Sequence, residues 1–431
     1  MVNDSAILQY DGKTYTLPVV TGTQKETAID IGTLRARSGL ITLDSGYGNT
    51  GSCSSAITYV NGERGVLKYR GYRIEGLATQ STFIETAYLL IFGELPTVAQ
   101  LDEFRRVLTA NESIHEDMRY HFDGFPPNAP PMAILSAMVN TLGCFEPAFM
   151  KVGEDAHFIE PAARLMSKIR TIAAASYRKS MGKPLIYPRS DLRYTANFLH
   201  MMFSNPYALY EADETIVDAL DRLLILHADH EQNCSTSTVR MVASSQANLY
   251  ASVAAGICAL WGPLHGGANV AVIDMLSRLA DSGESLEKFV ERVKQKDSDT
   301  RLMGFGHRVY KDFDPRAKII KKACDRLLTK LGIHDPLLEV AMRLEEIALN
   351  DPYFVERKLY PNVDYYSGII LRAIGIPTEM FTVIFAIGRL PGWIAHWREV
   401  RTNPGSRIDR PRQVYSGPVV REYLPIAERP G

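Results

Sequence analysis

The stretch Leu302-Met-Gly304-Phe305-Gly306-His307-Arg308-Val-Tyr-Lys311-Asp-Phe-Asp-Pro315-Arg316 decides how this chain is read. Its Gly-Phe-Gly resembles a phosphate-cradling loop only in outline, because the full GxGxxG pattern is missing and no strand-like run precedes it. That argues against a dinucleotide-binding parallel sheet. What remains is His307 on a tight turn, with Lys311 four residues on and Arg316 just after an Asp-Pro pair. The plainer reading of these residues is a solvated basic loop.

Outward from this stretch the periodicity is helical. Phe83, Ala87, Leu90 and Ile91 recur at helical spacing, and similar stripes run through Ile134 to Leu142, Ala163 to Tyr177, Ala219 to His227 and Pro336 to Leu349. Asp335-Pro336 predicts an N-cap with proline in the first helical position, and Gly332 predicts the end of the helix before it. Alternation appears only early: Asp11-Gly12 separates two β-favouring runs, which predicts a hairpin, and a second extended patch spans residues 56–69. No solenoid-length repeat and no flexible linker divides the chain. Three Gly/Pro-dense places read as short turns: Gly262-Pro-Leu-His265-Gly-Gly, Gly304-Phe-Gly-His307 and Leu390-Pro-Gly-Trp393.

Composition bounds the function. The 48 Lys and Arg balance 49 Asp and Glu, so no polyanion is implied as a partner. With 46% hydrophobic residues over 431 positions, the chain can bury a large core. The five cysteines (Cys53, Cys144, Cys234, Cys258, Cys324) form no metal-ligand spacing and fit free thiols in a reducing compartment. The start of the chain carries acid where a secretory signal needs base, which makes the cytoplasm the expected location. Met380 to Trp397 is the most apolar late stretch, but Arg389, Pro391 and His396 interrupt it, so it reads as buried rather than membrane-spanning.

Four further clusters carry possible chemistry. His227 and His230, three apart in Leu226-His-Ala-Asp-His-Glu231-Gln-Asn-Cys234, suit a metal pair, a satisfied helix end, or an anion donor at His230; the order is not the HExxH of zinc hydrolases. His265 lies among glycines just before the apolar run Val270 to Leu279, where helix amides keep an imidazole neutral and able to donate to a developing oxyanion. Asp364, between Val363 and Tyr365, is either a helix cap or a desolvated general base. Arg389 sits within Phe381 to Trp397 and must be ion-paired or bind an anion. Together with Arg316 and Arg410 it suits two planar carboxylates, each gripped by a guanidinium fork.

The signature around His307, together with Leu226-His-Ala-Asp-His-Glu-Gln-Asn, Gly-Pro-Leu-His-Gly-Gly-Ala-Asn, Lys358-Leu-Tyr-Pro-Asn-Val-Asp364 and Arg410-Pro-Arg-Gln, resembles the citrate synthase family over essentially the whole chain. The resemblance implies a mainly α, two-domain helical fold with a short β-rich N-terminal segment (1–60), a large helical domain (61–266 plus 378–431) and a small domain (267–377) that closes over the active site. It is like that of the bacterial-type, type II enzymes, which are dimers or hexamers made of dimers.

It implies condensation of acetyl-CoA with oxaloacetate and hydrolysis of citryl-CoA to citrate and CoA, with acetyl-CoA as a substrate and no resident cofactor or metal. By the same resemblance Asp364 removes the methyl proton, His265 stabilises the enol or enolate, and His307 polarises the ketone. His230, Arg316 and Arg389 bind oxaloacetate, Arg410 reaches in from the partner subunit, and Gly304, Phe305, Gly306 and Lys311 contact CoA. Some Gram-negative hexameric relatives are inhibited by NADH through a site with a cysteine; this chain has Tyr207 there. The competing readings are a 2-methylcitrate synthase using propionyl-CoA, a catalytically silent scaffold of the same fold, and, more distantly, a zinc hydrolase built on His227, His230 and Glu231.

Overall fold

The computed structural model describes residues 5–149, 158–295, 300–307, 309–311, 313–332 and 335–429. It divides into two compact units, Met1–Ser55 with Asp409–Gly431, and Ala56–Ile408.

In the first unit the predicted hairpin forms. Strands β1 (Ser5–Tyr10) and β2 (Lys13–Thr21) pair antiparallel in a register that places Tyr10 opposite Lys13. Asp11 and Gly12 both hold positive φ, at 50° and 70°, which is the geometry that an Asp-Gly turn favours because glycine carries no Cβ penalty there. β3 (Thr27–Ile29) adds to the other edge of β2. Tyr15, Leu17 and Leu34 make the small buried face. The C-terminal segment of this unit carries only a 3-10 turn at Ile426–Glu428 among its described residues.

The second unit opens with a meander of β4 (Thr58–Asn61), β5 (Val66–Tyr69) and β6 (Tyr72–Arg73), which is the second extended patch of the sequence. The rest is helical. The predicted stripes become Phe83–Phe92, Pro131–Phe145, Ile159–Ser180, Glu214–His227 and Pro336–Asn350. Asp335 caps the last of these by accepting from the Leu337 amide, and Gly332 closes the helix before it in the left-handed conformation.

Leu390-Pro-Gly-Trp393 is not a turn. It lies inside the 22-residue helix Phe381–Thr402, nearly all of which is buried. Helices Phe83–Phe92, Ile159–Ser180, Glu214–His227, Cys234–Ser244 and Leu249–Leu260 pack around it, and an apolar helix surrounded in this way needs no polar face. The break that Pro391 introduces is absorbed, because the next amide, Gly392, donates to the Ala228 carbonyl at 3.1 Å instead. Gly388 and Gly392 allow this contact: a Cβ at 388 would sit 3.2 Å from His227 Cβ, and one at 392 only 2.4 Å from the Ala228 oxygen. Gly392, read from the sequence as part of a turn, is therefore a close-packing residue like Gly388, and the two bring Arg389 against the end of Glu214–His227. Among the described residues no helix is long and apolar enough to cross a membrane.

Candidate active site

Six chain segments of the second unit meet at the site. The helix Glu214–His227 ends just before His230, and Cys234–Ser244 begins under His265, which lies on the turn leading into Ala268–Ser282. Pro315–Leu331 carries Arg316, Val363–Ile374 carries Asp364, and Phe381–Thr402 carries Arg389.

His265 is partly buried, and Nε2 lies 2.9 Å from Ser235 Oγ while accepting from the Ser235 backbone amide at 3.2 Å. An amide only donates, so Nε2 is the lone-pair nitrogen and the imidazole proton resides on Nδ1. Burial, with the Arg389 charge nearby, pulls the imidazole down to about 4, so it is neutral at physiological pH. Ser235 is itself held: its hydroxyl donates to Asn233 Oδ1 at 2.8 Å and accepts from the buried Trp393 indole at 3.2 Å.

His307 is fixed in the opposite tautomer. Its Nδ1 accepts from the amides of Val309 (3.0 Å) and Tyr310 (3.3 Å), which puts the proton on Nε2. That N–H faces an Arg316 nitrogen at 3.4 Å, so two donors point at a place that suits an acceptor. Burial and the Arg316 charge bring His307 down to about 4. His230 is also held neutral, chiefly by burial and then by Arg316, and its Nε2 lies 3.0 Å from the Tyr310 hydroxyl.

Arg316 is buried and gripped by Asp314, with Nε to Oδ1 and Nη2 to Oδ2 both at 3.0 Å. Asp314 also caps the Arg316 helix and accepts from the Val363 amide, so one carboxylate locks two helix starts together. Arg389 donates from Nε to the His227 carbonyl at 2.7 Å and stacks over Phe385. Its Nη1 is buried and has no hydrogen-bond partner among the described residues. A buried guanidinium nitrogen left unbonded costs free energy unless a ligand supplies the acceptor, and a carboxylate is its natural complement.

Asp364 is not the cap. Asn362 takes that role, its Oδ1 accepting from the amides of Asp364 and Tyr365. The Asp364 carboxylate is thus released toward the site, where desolvation raises it to about 6 against the lowering pull of Arg316. Asn362 Nδ2 also donates to the Gly306 carbonyl at 2.8 Å, tying the Asp364 helix to the His307 turn.

Gly304 and Gly306 hold positive φ, and a Cβ at 304 would meet Val272 at 2.6 Å. Gly304 O accepts from the Asn362 amide, and the Gly306 amide donates to Tyr360 O. Most of this turn's polar backbone is therefore spent on positioning Asp364. Phe305 packs edge-on against Tyr365, and Lys311 is exposed at the surface.

The structure brings together His230, His265, His307, Arg316, Asp364 and Arg389 in one unit. Arg410 lies in the other unit, exposed and without regular structure. His227 is buried, its Nδ1 donating to the Leu223 carbonyl at 2.7 Å, and among the described residues no three His, Cys, Asp or Glu side chains are grouped to hold a metal ion. Tyr207 is 88% exposed in a short bridge between Asn205 and Ala208. Sequence reasoning missed Ser235, Tyr310, Asp314 and Asn362. Asp314-Pro315 and Asn362 before a helical run were visible cap signals; nothing local marks Ser235.

Residues 46–412 match the family described as "Citrate synthase, C-terminal domain". The chain is 52% identical over 427 residues to citrate synthase 1 of Mycobacterium tuberculosis, covering 99% of both chains, and 49% identical over 428 residues to citrate synthase of Corynebacterium glutamicum, covering 99% of this chain and 98% of the other. Among solved structures, citrate synthase of Pyrobaculum aerophilum superposes with a TM-score of 0.80 at 36% identity, over 95% of this chain and 97% of that one. The ternary complex of the Thermoplasma acidophilum enzyme with carboxymethyl coenzyme A and oxaloacetate gives 0.80 at 31% identity, over 90% and 100%.

Proposed function

The chain belongs to the citrate synthase family, and from that membership we infer a citrate (Si)-synthase, an acyltransferase that condenses acetyl-CoA with oxaloacetate and hydrolyses citryl-CoA to citrate and CoA. The 2-methylcitrate reading is not favoured, since relatives 49–52% identical across nearly the whole chain are citrate synthases. A silent scaffold has no need to keep an elevated carboxylate and two tautomer-locked imidazoles in one unit.

Two observations carry the mechanism: the Asp364 carboxyl is raised to about 6, and His265 is a neutral imidazole whose Nδ1 carries the proton. The α-proton of a thioester is weakly acidic, so a carboxylate removes it only if the nascent enolate oxygen is stabilised at once. We assign Asp364 to take the methyl proton while His265 Nδ1–H donates to the thioester oxygen. The enol carbon then attacks the oxaloacetate ketone, whose oxygen takes its hydrogen bond, and then a proton, from His307 Nε2–H; His307 is reprotonated by the water that hydrolyses the thioester, and the Asp364 proton passes to the leaving thiolate. Water cleaves the resulting citryl thioester and releases citrate and the CoA thiol.

His230, Arg316 and Arg389 bind the two oxaloacetate carboxylates in this reading, with the unpartnered Arg389 Nη1 as the strongest support. The residues come from both sides of the proposed boundary of a closing domain (267–377): His307, Arg316 and Asp364 from within it, His230, His265 and Arg389 from outside. A bound dianion would bridge the two sides, draw them together and exclude water before acetyl-CoA reacts. The CoA assignment to Gly304, Phe305, Gly306 and Lys311 is retained with the weight on Phe305 and Lys311, because the polar backbone of the glycines is largely engaged elsewhere.

The active form is proposed to be a homodimer, or a hexamer of dimers, with Arg410 contributed across the interface. Val419, Val420, Tyr423 and Ile426 in the C-terminal segment are each at least 80% exposed, an apolar surface that contact with a second copy would cover, which supports this reading. No resident cofactor, nucleic acid or membrane enters this reading, and the location is proposed to be cytoplasmic. Incubating the purified enzyme with labelled acetyl-CoA and oxaloacetate and identifying the product tests it: labelled citrate supports the assignment, and its absence overturns it.

A further inference from the structure

Tyr310 is 3% exposed and touches three of the groups assigned to oxaloacetate, yet the mechanism so far gives it no part. Its hydroxyl lies 3.0 Å from His230 Nε2, its amide donates to His307 Nδ1, and its ring lies 4.8 Å from the His307 ring and 5.7 Å from the Arg316 guanidinium carbon. A buried phenol and a buried neutral imidazole form a bond that runs either way. If the hydroxyl donates to Nε2, His230 keeps its proton on Nδ1; if Nε2–H donates, the phenol proton is free. In both cases the pair keeps one further donor hydrogen beyond the one it shares.

We propose that Tyr310 is a positioning residue for oxaloacetate, which locks His230 through its hydroxyl into a two-group donor for the keto diacid. The loop geometry supports this, since the same residue's amide orients His307 and so ties the carboxylate donor to the ketone donor. The inference rests on the assignment of His230 to oxaloacetate.

A double-mutant cycle on the full-length enzyme separates the two claims. Tyr310→Phe keeps the ring, so its contacts with His307 and Arg316 persist. The expected result is an oxaloacetate Kd, by calorimetry, and KM raised roughly tenfold with kcat within about threefold and the acetyl-CoA KM unchanged, the loss of one hydrogen bond. In a His230→Gln background the same change should have little further effect. If His230→Gln weakens oxaloacetate but Tyr310→Phe does not, or if the two effects simply add, the role of Tyr310 is overturned and that of His230 stands. If His230→Gln leaves oxaloacetate binding intact, the assignment of His230 itself fails, and this inference with it.

Discussion

The backbone amide of Ser235 donates to His265 Nε2 at 3.2 Å, so a main-chain group, rather than a side chain that mutation could remove, decides which nitrogen of the imidazole carries the proton. With the ring neutral, Nδ1–H is the donor available to a thioester oxygen. His265→Ala should lower kcat by about 10²–10³ while the oxaloacetate Kd stays near the parent value, which steady-state kinetics paired with calorimetry can check. Ser235→Ala keeps the amide and should cost far less.

Activity should fall on the acid side through the ionisation of Asp364. Its carboxyl is raised to about 6 in the folded chain, whereas His265 and His307 stay neutral down to about 4. The limb of kcat/KM for acetyl-CoA is therefore expected near pH 6, as one ionisation, with activity lost as the base protonates. A folded pKa above the unfolded value also means that the native state binds more protons between about pH 4 and 6, so the Asp364 contribution to stability improves as pH falls through that window and is least favourable at pH 7. Asp364→Asn should abolish turnover with thermal stability at pH 7 equal to or above the parent.

Arg389→Met should raise the oxaloacetate Kd on the order of 100-fold, because its Nη1 has no acceptor among the described residues and a carboxylate would supply one. Arg389→Lys should not restore it, since an ammonium cannot both reach the His227 carbonyl and present a second, fork-oriented donor. Isothermal titration with oxaloacetate alone distinguishes this from an effect on turnover.

Gly62 lies on the β4–β5 turn, and a Cβ there would stand 2.0 Å from the Val309 carbonyl oxygen. Val309 is the residue whose amide orients His307, and the Lys311 amide donates back to Gly62 O. Gly62→Ala must therefore push the segment that holds His307 and should lower kcat roughly 10- to 100-fold. Gly76→Ala, with nothing within 4 Å of the new Cβ, serves as the control and should leave kcat unchanged.

If Arg410 acts across a dimer interface, two inactive variants should complement. Co-expressed Arg410→Ala and Asp364→Asn chains would form mixed dimers in which one of the two sites is whole. Recovered activity should approach about a quarter of the parent, as half the dimers are mixed. No recovery would place Arg410 in its own subunit's site, and an Arg410→Ala chain that is active by itself would place it outside catalysis.

Much of this was legible in the chain. The helical stripes, the Asp11-Gly12 hairpin and the Asp335 cap follow from local rules, and those rules act over a few residues. The grouping of His265, His307, Asp364 and Arg389 does not follow from local rules; it was reached through the order of five segments. What escaped was set by tertiary packing. Gly392 looks like a turn residue until the facing helix end at Ala228 and Asp229 is in place. Ser235 is thirty residues from His265, and the Asn362 cap freed Asp364 for a role that a first-turn aspartate does not advertise.

The most direct test of the account is the rate of CoA thiol release from acetyl-CoA with and without oxaloacetate, repeated with propionyl-CoA. Release should be fast, depend on oxaloacetate and strongly favour acetyl-CoA. Rapid release without oxaloacetate would contradict the claim that the dianion must assemble and dry the site before Asp364 acts, and a preference for propionyl-CoA would contradict the assigned substrate.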